Sequence, residues 1–335
     1  MPNFYDEKLQ LPLLPTSTVG SFPKPDYLKK ARSQYARKEI TREQLTKLEE
    51  QATRELMKWQ EELGLDVLVD GEMYRGDMAT YFAENLPNGC KISGLVRSYG
   101  NRYYRKPVVV GKLKWEKPIT LDWWKFAQNL TKKPVKGMLT GPYTLMDWSF
   151  NEYYPSRRDV ALGFAEVIAQ EALALEKAGA TIIQIDEPAV STKPEELPMA
   201  IEVLGEVTKH LKAKTISHMC YGDFGLLYPK LLELPVDQLD IEMANSDYQL
   251  LDFFRKNPYT KEIGLGVFDV HNHSVDSKDM MRKRIEQALT VIPVEKIMVD
   301  PDCGLKTRTL DECTAMLTNM VAATKEVRTQ LLARA

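Results

Sequence analysis

Long apolar runs are missing from this sequence. Nothing approaches the ~20 residues needed to span a bilayer, so a soluble protein is expected. Cysteine is scarce, with four in 335 residues, which is too few for a disulfide framework in a chain of this length. The start, Met1 to Leu14, carries Asp6 and Glu7 and no continuous apolar segment. A cytoplasmic location without a secretory signal is therefore expected. An excess of one charge is also absent: the formal net charge is -2, giving no general pull toward nucleic acid or an anionic membrane. Small molecules or a protein are the expected partners. No Gly-x-Gly-x-x-Gly turn follows the first strand-like stretch, which removes the main signal for an open dinucleotide-binding sheet.

What is present is enough apolar material for a full core, 44% hydrophobic against 27% charged, in a length that suits one large α/β domain or two smaller ones. After a Pro-rich arm over residues 1–14, Thr16 to Phe22 reads as a strand ending in a polar loop. Thr41 to Leu63 sets Leu45, Leu48, Ala52, Leu56, Trp59 and Leu63 on one helical face, with Thr41 and Gln44 as a start signal and Gly64 as a stop. Asp66 to Asp70 is strand-like, and residues 88–111 read as a hairpin excursion. Trp123 to Leu130 reads as helix, Val135 to Thr140 as strand, Asp159 to Lys177 as helix, and Thr181 to Ile185 as a buried strand. The alternation continues with helices at 195–211, 224–232, 248–256, 278–289 and from 310 onward. Strands fall between them at 215–219, 239–243, 263–268 and 296–299. About eight strands, most followed by a helix, predict a single (β/α)8 TIM barrel over residues 1–335.

In such barrels the loops after the strands carry the chemistry. Here those ends hold Gly20-Ser21, Glu72, Gly141, Asp186, His218 with Cys220, Glu242, Asp269 to His271, and Asp300 to Cys303. His218 and Cys220 are two apart on a strand, so they project from one face. Imidazole and thiolate suit zinc. A buried Cys is more often a small core residue, and Asp300 and Asp302 fit helix N-caps. Neither reading explains a His, two Cys and a Glu on strands five, six and eight, which zinc unites as His218, Cys220, Glu242 and Cys303. Such a thiolate-rich site favours sulfur nucleophiles. Cys90 and Cys313 are assigned no role.

Val19-Gly20-Ser21-Phe22, Asp70-Gly71-Glu72, Lys136 to Pro142, Ile183 to Ala189, His218-Met219-Cys220 and Pro301 to Arg308 together resemble the C-terminal catalytic half of cobalamin-independent methionine synthase. The likeness runs from about Leu14 to about Arg328. It implies a zinc-bearing barrel that methylates the thiol of L-homocysteine to L-methionine. On that resemblance His218, Cys220, Glu242 and Cys303 are the zinc ligands. Val19, Gly20, Ser21, Glu72 and Asp186 cradle the amino acid, and His271 matches the proton donor. Arg102, Tyr103 and Trp148 fall where the family contacts the pterin.

The sequence departs from the family at Tyr103, where Cys is usual, and at Asn272-His273, where a Ser usually follows the His. The family's N-terminal half, which helps hold the folate polyglutamate tail, has no counterpart here. These departures lead to the expectation that the methyl donor is methylcobalamin or a methylated corrinoid protein. The alternatives are 5-methyltetrahydrofolate polyglutamate as donor, another small thiol as acceptor, and a non-enzymatic zinc or corrinoid binder.

Overall fold

The computed structural model describes residues 4–6, 9–97 and 103–333. Within it the chain divides into two compact units, residues 1–74, 123–136 and 238–335 in one and residues 75–122 and 137–237 in the other.

The first unit is built on parallel staves. Gln238–Ile241, Glu262–Gly266 and Ile297–Asp300 pair in parallel register, Ile263 opposite Leu239 and Ile297. The next staves are shorter. Val299 N donates to Pro15 O and Ser17 N to Val299 O, then Asp66 and Val67 N donate to Thr16 O, while Leu68 N donates to Pro134 O and Lys136 N to Leu68 O. The long helix Arg42–Leu63 lies in this unit. Its Thr41 and Gln44 form a reciprocal capping box and Gly64 ends it, as the sequence signals require. Its buried face is partly polar: the Gln60 side chain both donates to Val69 O at 2.7 Å and accepts from Val69 N at 3.1 Å. Gln60 thus supplies the hydrogen bonds that a neighbouring strand would give this short stave.

Charged and amide groups fill the middle of this unit. Lys136 and Asp240 are buried, with Nζ 3.5 Å from Oδ2, and Lys136 also donates to Thr18 O at 3.1 Å. Gln238 donates to Asp240 at 2.6 Å and accepts from Tyr5 OH at 2.6 Å. Buried polar groups of this kind are tolerated because they satisfy one another. The N-terminal arm is therefore not a loose tail: Phe4–Asp6 pairs with Leu11–Pro12, and Tyr5 reaches the start of the 238 stave.

The second unit holds Gly137–Thr140, Ile182–Asp186 and Lys214–Met219, again parallel. Every residue of Ile182–Asp186 is buried, which accounts for its three isoleucines, and its two polar residues, Gln184 and Asp186, bond each other. The excursion is a hairpin of Cys90–Arg97 and Tyr103–Val109, with Phe150–Asn151 added beside it. Parallel staves with helices between most of them make each unit α/β, the class that the alternation predicts.

Some elements differ from expectation. Asp26–Ala36, Met78–Glu84 and Pro142–Asp147 are helices that the periodicity did not reveal. The helix expected at 224–232 is only Phe224–Leu227, followed by a 3-10 turn at Lys230–Glu233, because Pro229 between them has no N–H to continue it. Among the described residues no helix is long and apolar enough to cross a membrane.

Candidate metal and substrate site

His218 is the penultimate residue of the Lys214–Met219 strand with Cys220 just beyond its end, and both are buried. The strand end is fixed by Glu187 N donating to His218 O at 2.9 Å and by Ser191 Oγ donating to Cys220 O at 2.7 Å. His218, Cys220 and Cys303 can each offer one ligand atom, and these atoms lie within 4.8 Å of one another. That spread is compatible with a common tetrahedral ion, whose bonds to nitrogen and sulfur run at roughly 2.0 to 2.3 Å. Two thiols and an imidazole are the donor set zinc prefers.

Glu242, the fourth residue expected at the ion, lies outside that group of three. It is almost fully buried; its Oε1 accepts from His271 Nε2 at 2.8 Å and its Oε2 from Asn245 Nδ2 at 3.0 Å. This hydrogen bond raises the His271 pKa above its ordinary value; burial opposes it, and the negative charges of Glu242, Cys303 and Asp269 assist it. The His271 loop is itself held. His271 N and Asn272 Nδ2 both donate to Asp269 at 2.7 Å, and Arg308 donates to Asn272 O at 2.7 Å.

The loop of Val19, Gly20 and Ser21 is tied to two other functional segments. Phe22 N donates to Gly71 O at 3.3 Å and Leu305 N to Ser21 O at 2.7 Å. Glu72 follows Gly71 with φ of 56°, a left-handed conformation uncommon for a side-chain-bearing residue. It is held there by its N–H donating to Asp70 Oδ1 at 2.8 Å. Gly71, at φ 71°, has no room for a Cβ, which would stand 2.0 Å from Leu56 Cδ2. Backbone strain of this kind collects at binding sites. In the second unit Asp186 is buried, and it accepts from Gln184 Nε2 at 2.7 Å.

Next to Asp186, Glu187 accepts from Tyr143 N, Thr144 N and Thr144 Oγ1 at 3.0, 2.8 and 2.6 Å. Burial pushes its pKa up to about 7 against those donors. Asp302 does the same across the first unit, accepting from Met243, Ala244 and Asn245 N at 2.9, 2.9 and 2.7 Å. It is a cap, as expected, but for a segment some sixty residues away rather than for the helix that follows it. Neither Asn245 nor Glu187 was signalled as a site residue by the sequence.

Of the residues expected at the methyl donor, Tyr103 is exposed on the hairpin and Trp148 ends the Pro142–Asp147 helix. The Trp148 Nε1 is buried without a hydrogen-bond partner among the described residues. Arg102 lies outside the described residues. Cys90 and Cys313 are buried, and burial pushes both thiols up to about 12.

The chain matches the family described as the catalytic domain of cobalamin-independent synthase over residues 14–326. The 5-methyltetrahydropteroyltriglutamate–homocysteine methyltransferase of Campylobacter jejuni is 42% identical over 97% of this chain. The chain spans 45% of that relative's length. The methionine synthase of Sulfurisphaera tokodaii is 40% identical, over 96% of this chain and 95% of its own. Among solved structures, a B12-independent methionine synthase from Shewanella sp. W3-18-1, in complex with selenomethionine, superposes with TM-score 0.85 at 29% identity. That superposition covers 96% of this chain and 99% of the other.

These relatives overturn one expectation. Methylcobalamin, or a methylated corrinoid protein as partner, does not fit a family described as cobalamin-independent, and the Campylobacter relative is named for a folate donor. The physical reason lies at His271. A folate amine must be protonated as it leaves, whereas methylcobalamin needs no acid, and His271 is retained with a carboxylate beside it that favours its protonated form.

Proposed function

The chain belongs to the cobalamin-independent synthase family of catalytic domains, and from that membership we propose that it transfers a methyl group from a 5-methyltetrahydropteroyl glutamate to the thiol of L-homocysteine, giving L-methionine. The observation that carries this reading is the grouping of the His218, Cys220 and Cys303 ligand atoms, a donor set made for a zinc ion that handles sulfur.

His218, Cys220 and Cys303 would hold the zinc, with Glu242 as the fourth ligand. When bound, the ion supplies a deprotonated substrate thiol at neutral pH, where a free thiol with pKa near 8.5 is only a few per cent thiolate. The protein's own residues do the rest. Glu72 and Asp186 take the ammonium group of the amino acid by charge-assisted hydrogen bonds, and donors of the Val19 to Ser21 loop take its carboxylate. The tie between that loop, Gly71 and Leu305 keeps the cradle in register with the segment that carries Cys303. His271 delivers the proton that the departing folate amine requires. Trp148 and Tyr103, with Arg102 on the family resemblance, are assigned to the donor. The folate donor is supported by its name in the Campylobacter relative and by the retention of His271.

The test is methionine formation by zinc-loaded protein given homocysteine and 5-methyltetrahydropteroyltriglutamate, with other small thiols offered in competition. Methionine, formed at a rate those thiols do not depress, is the expected result. Methylation of another thiol in preference to homocysteine would overturn the acceptor; absence of any thiol methylation would overturn the reaction.

A further inference from the structure

Resting on the zinc and homocysteine reading, we infer that Asn245 is a positioning residue for Glu242, and that Asp302 fixes Asn245 in turn. The argument begins with the acceptor. A carboxylate can only accept, so the Asn245 group 3.0 Å from Glu242 Oε2 is the amide N–H donor. The other oxygen is engaged by His271 at 2.8 Å. Glu242 is 2% exposed, so water contributes little to holding it. Each of its oxygens therefore meets a protein donor, and the one at Oε2 is supplied by residue 245.

Asn245 is not free to wander. It lies in the turn Ala244–Ser246, and its own backbone N–H, with those of Met243 and Ala244, donates to the Asp302 carboxylate at 2.7 to 2.9 Å. Asp302 is itself fully buried. It fits there because residue 266 is glycine: a Cβ at Gly266 would stand 2.0 Å from Asp302 Oδ1. Just past the turn, Tyr248 OH donates to Gly266 O at 2.8 Å, a second tie between this segment and residue 266. The sequence of contacts runs Gly266, Asp302, Asn245, Glu242, His271, and Asp302 is the chain neighbour of Cys303. One strut therefore aligns a ligand, the proton donor and a second ligand.

Each carboxylate oxygen has two lone pairs, so Oε2 can hold the Asn245 N–H and still offer a pair to an ion. Outer contacts of this kind usually change metal affinity ten- to a hundredfold when removed. Loss of the Asn245 donor removes one of the hydrogen bonds that orient the buried Glu242 carboxylate and weakens its hold on that orientation.

The experiment compares wild type, Asn245→Ala and Asn245→Asp by zinc affinity in chelator competition, by the d–d spectrum of the cobalt-substituted protein, and by KM for homocysteine against kcat. Asn245→Asp preserves the shape and removes the donor. If the hydrogen bond is what matters, both variants lose ten- to a hundredfold in zinc affinity and alter the cobalt spectrum, while both remain folded by circular dichroism. The Asp variant is then at least as impaired as the Ala variant. Wild-type affinity and spectrum in Asn245→Asp would overturn the inference while leaving the zinc reading intact. Failure of the wild type to bind zinc would overturn both.

Discussion

The imidazole Nε2 of His271 stands 2.8 Å from Oε1 of Glu242. A group cast as proton donor thus leans on a group cast as metal ligand, so protonation and metal binding meet at one carboxylate. Removing the imidazole separates the two roles. His271→Gln, whose side-chain amide can still donate to Glu242, should keep its zinc and its affinity for homocysteine, while kcat with the folate donor falls about 10²- to 10⁴-fold, the usual worth of a general acid. Steady-state kinetics with metal analysis of the same preparation checks this; unchanged kcat would remove the acid role.

Glu187 provides a test by pH. Its carboxyl is raised to about 7 by burial, whereas the unfolded chain releases that proton near the ordinary value of about 4.3. The folded protein therefore holds the extra proton between these values. The stability it contributes is present at the acid end and is lost as pH rises toward 7. Denaturation midpoints of wild type and Glu187→Gln should accordingly converge, or cross in favour of the variant, between pH 5 and pH 8. A constant difference across that range would show that the carboxyl does not titrate there.

The cysteines separate into two chemical pairs. Cys90 and Cys313, pushed up to about 12, carry on the order of one thiolate in ten thousand at pH 8 and should resist iodoacetamide. Cys303 is half-buried and should be alkylated first in zinc-free protein. Zinc should protect it. Peptide mapping of labelled protein with and without the metal reads all three outcomes, and equal labelling of Cys303 in both samples would contradict the assignment.

Gly71→Ala addresses the substrate cradle. The new methyl would meet Leu56 at 2.0 Å in a left-handed backbone, which should cost about 1 to 3 kcal/mol by overpacking. It should also raise KM for homocysteine, because Glu72 is the next residue. A destabilised variant with wild-type KM would detach Glu72 from the substrate.

The barrel was legible because its staves are short apolar runs ending in polar residues, and each helix between them has its own start and stop. Thr41, Gln44 and Gly64 bound the Arg42–Leu63 helix in the sequence just as they do in the structure. Asp26–Ala36 was not legible: only Leu28 and Ala31 of its eleven residues are buried, too few to set a period. The ligand candidates could be read because chemistry sits at strand ends. What could not be read is what aims them. Asp302 serves backbone some sixty residues earlier, and Gln60 completes the hydrogen bonding of Val69. Each of these depends on which segments meet, which local pattern does not encode. The donor is a different matter: the corrinoid expectation rests chiefly on the family's folate-holding N-terminal half having no counterpart in this sequence, with the departures at Tyr103 and Asn272-His273 beside it, whereas the retained His271 points to the folate.

The most direct test of the central claim is X-ray absorption at the zinc edge, on zinc-loaded wild type and on Cys303→Ser. The account predicts one tightly held zinc with two sulfur ligands at roughly 2.3 Å and nitrogen or oxygen for the rest, falling to one sulfur in the variant. Two sulfurs retained in Cys303→Ser, or a wild-type zinc bound only by nitrogen and oxygen, would contradict it.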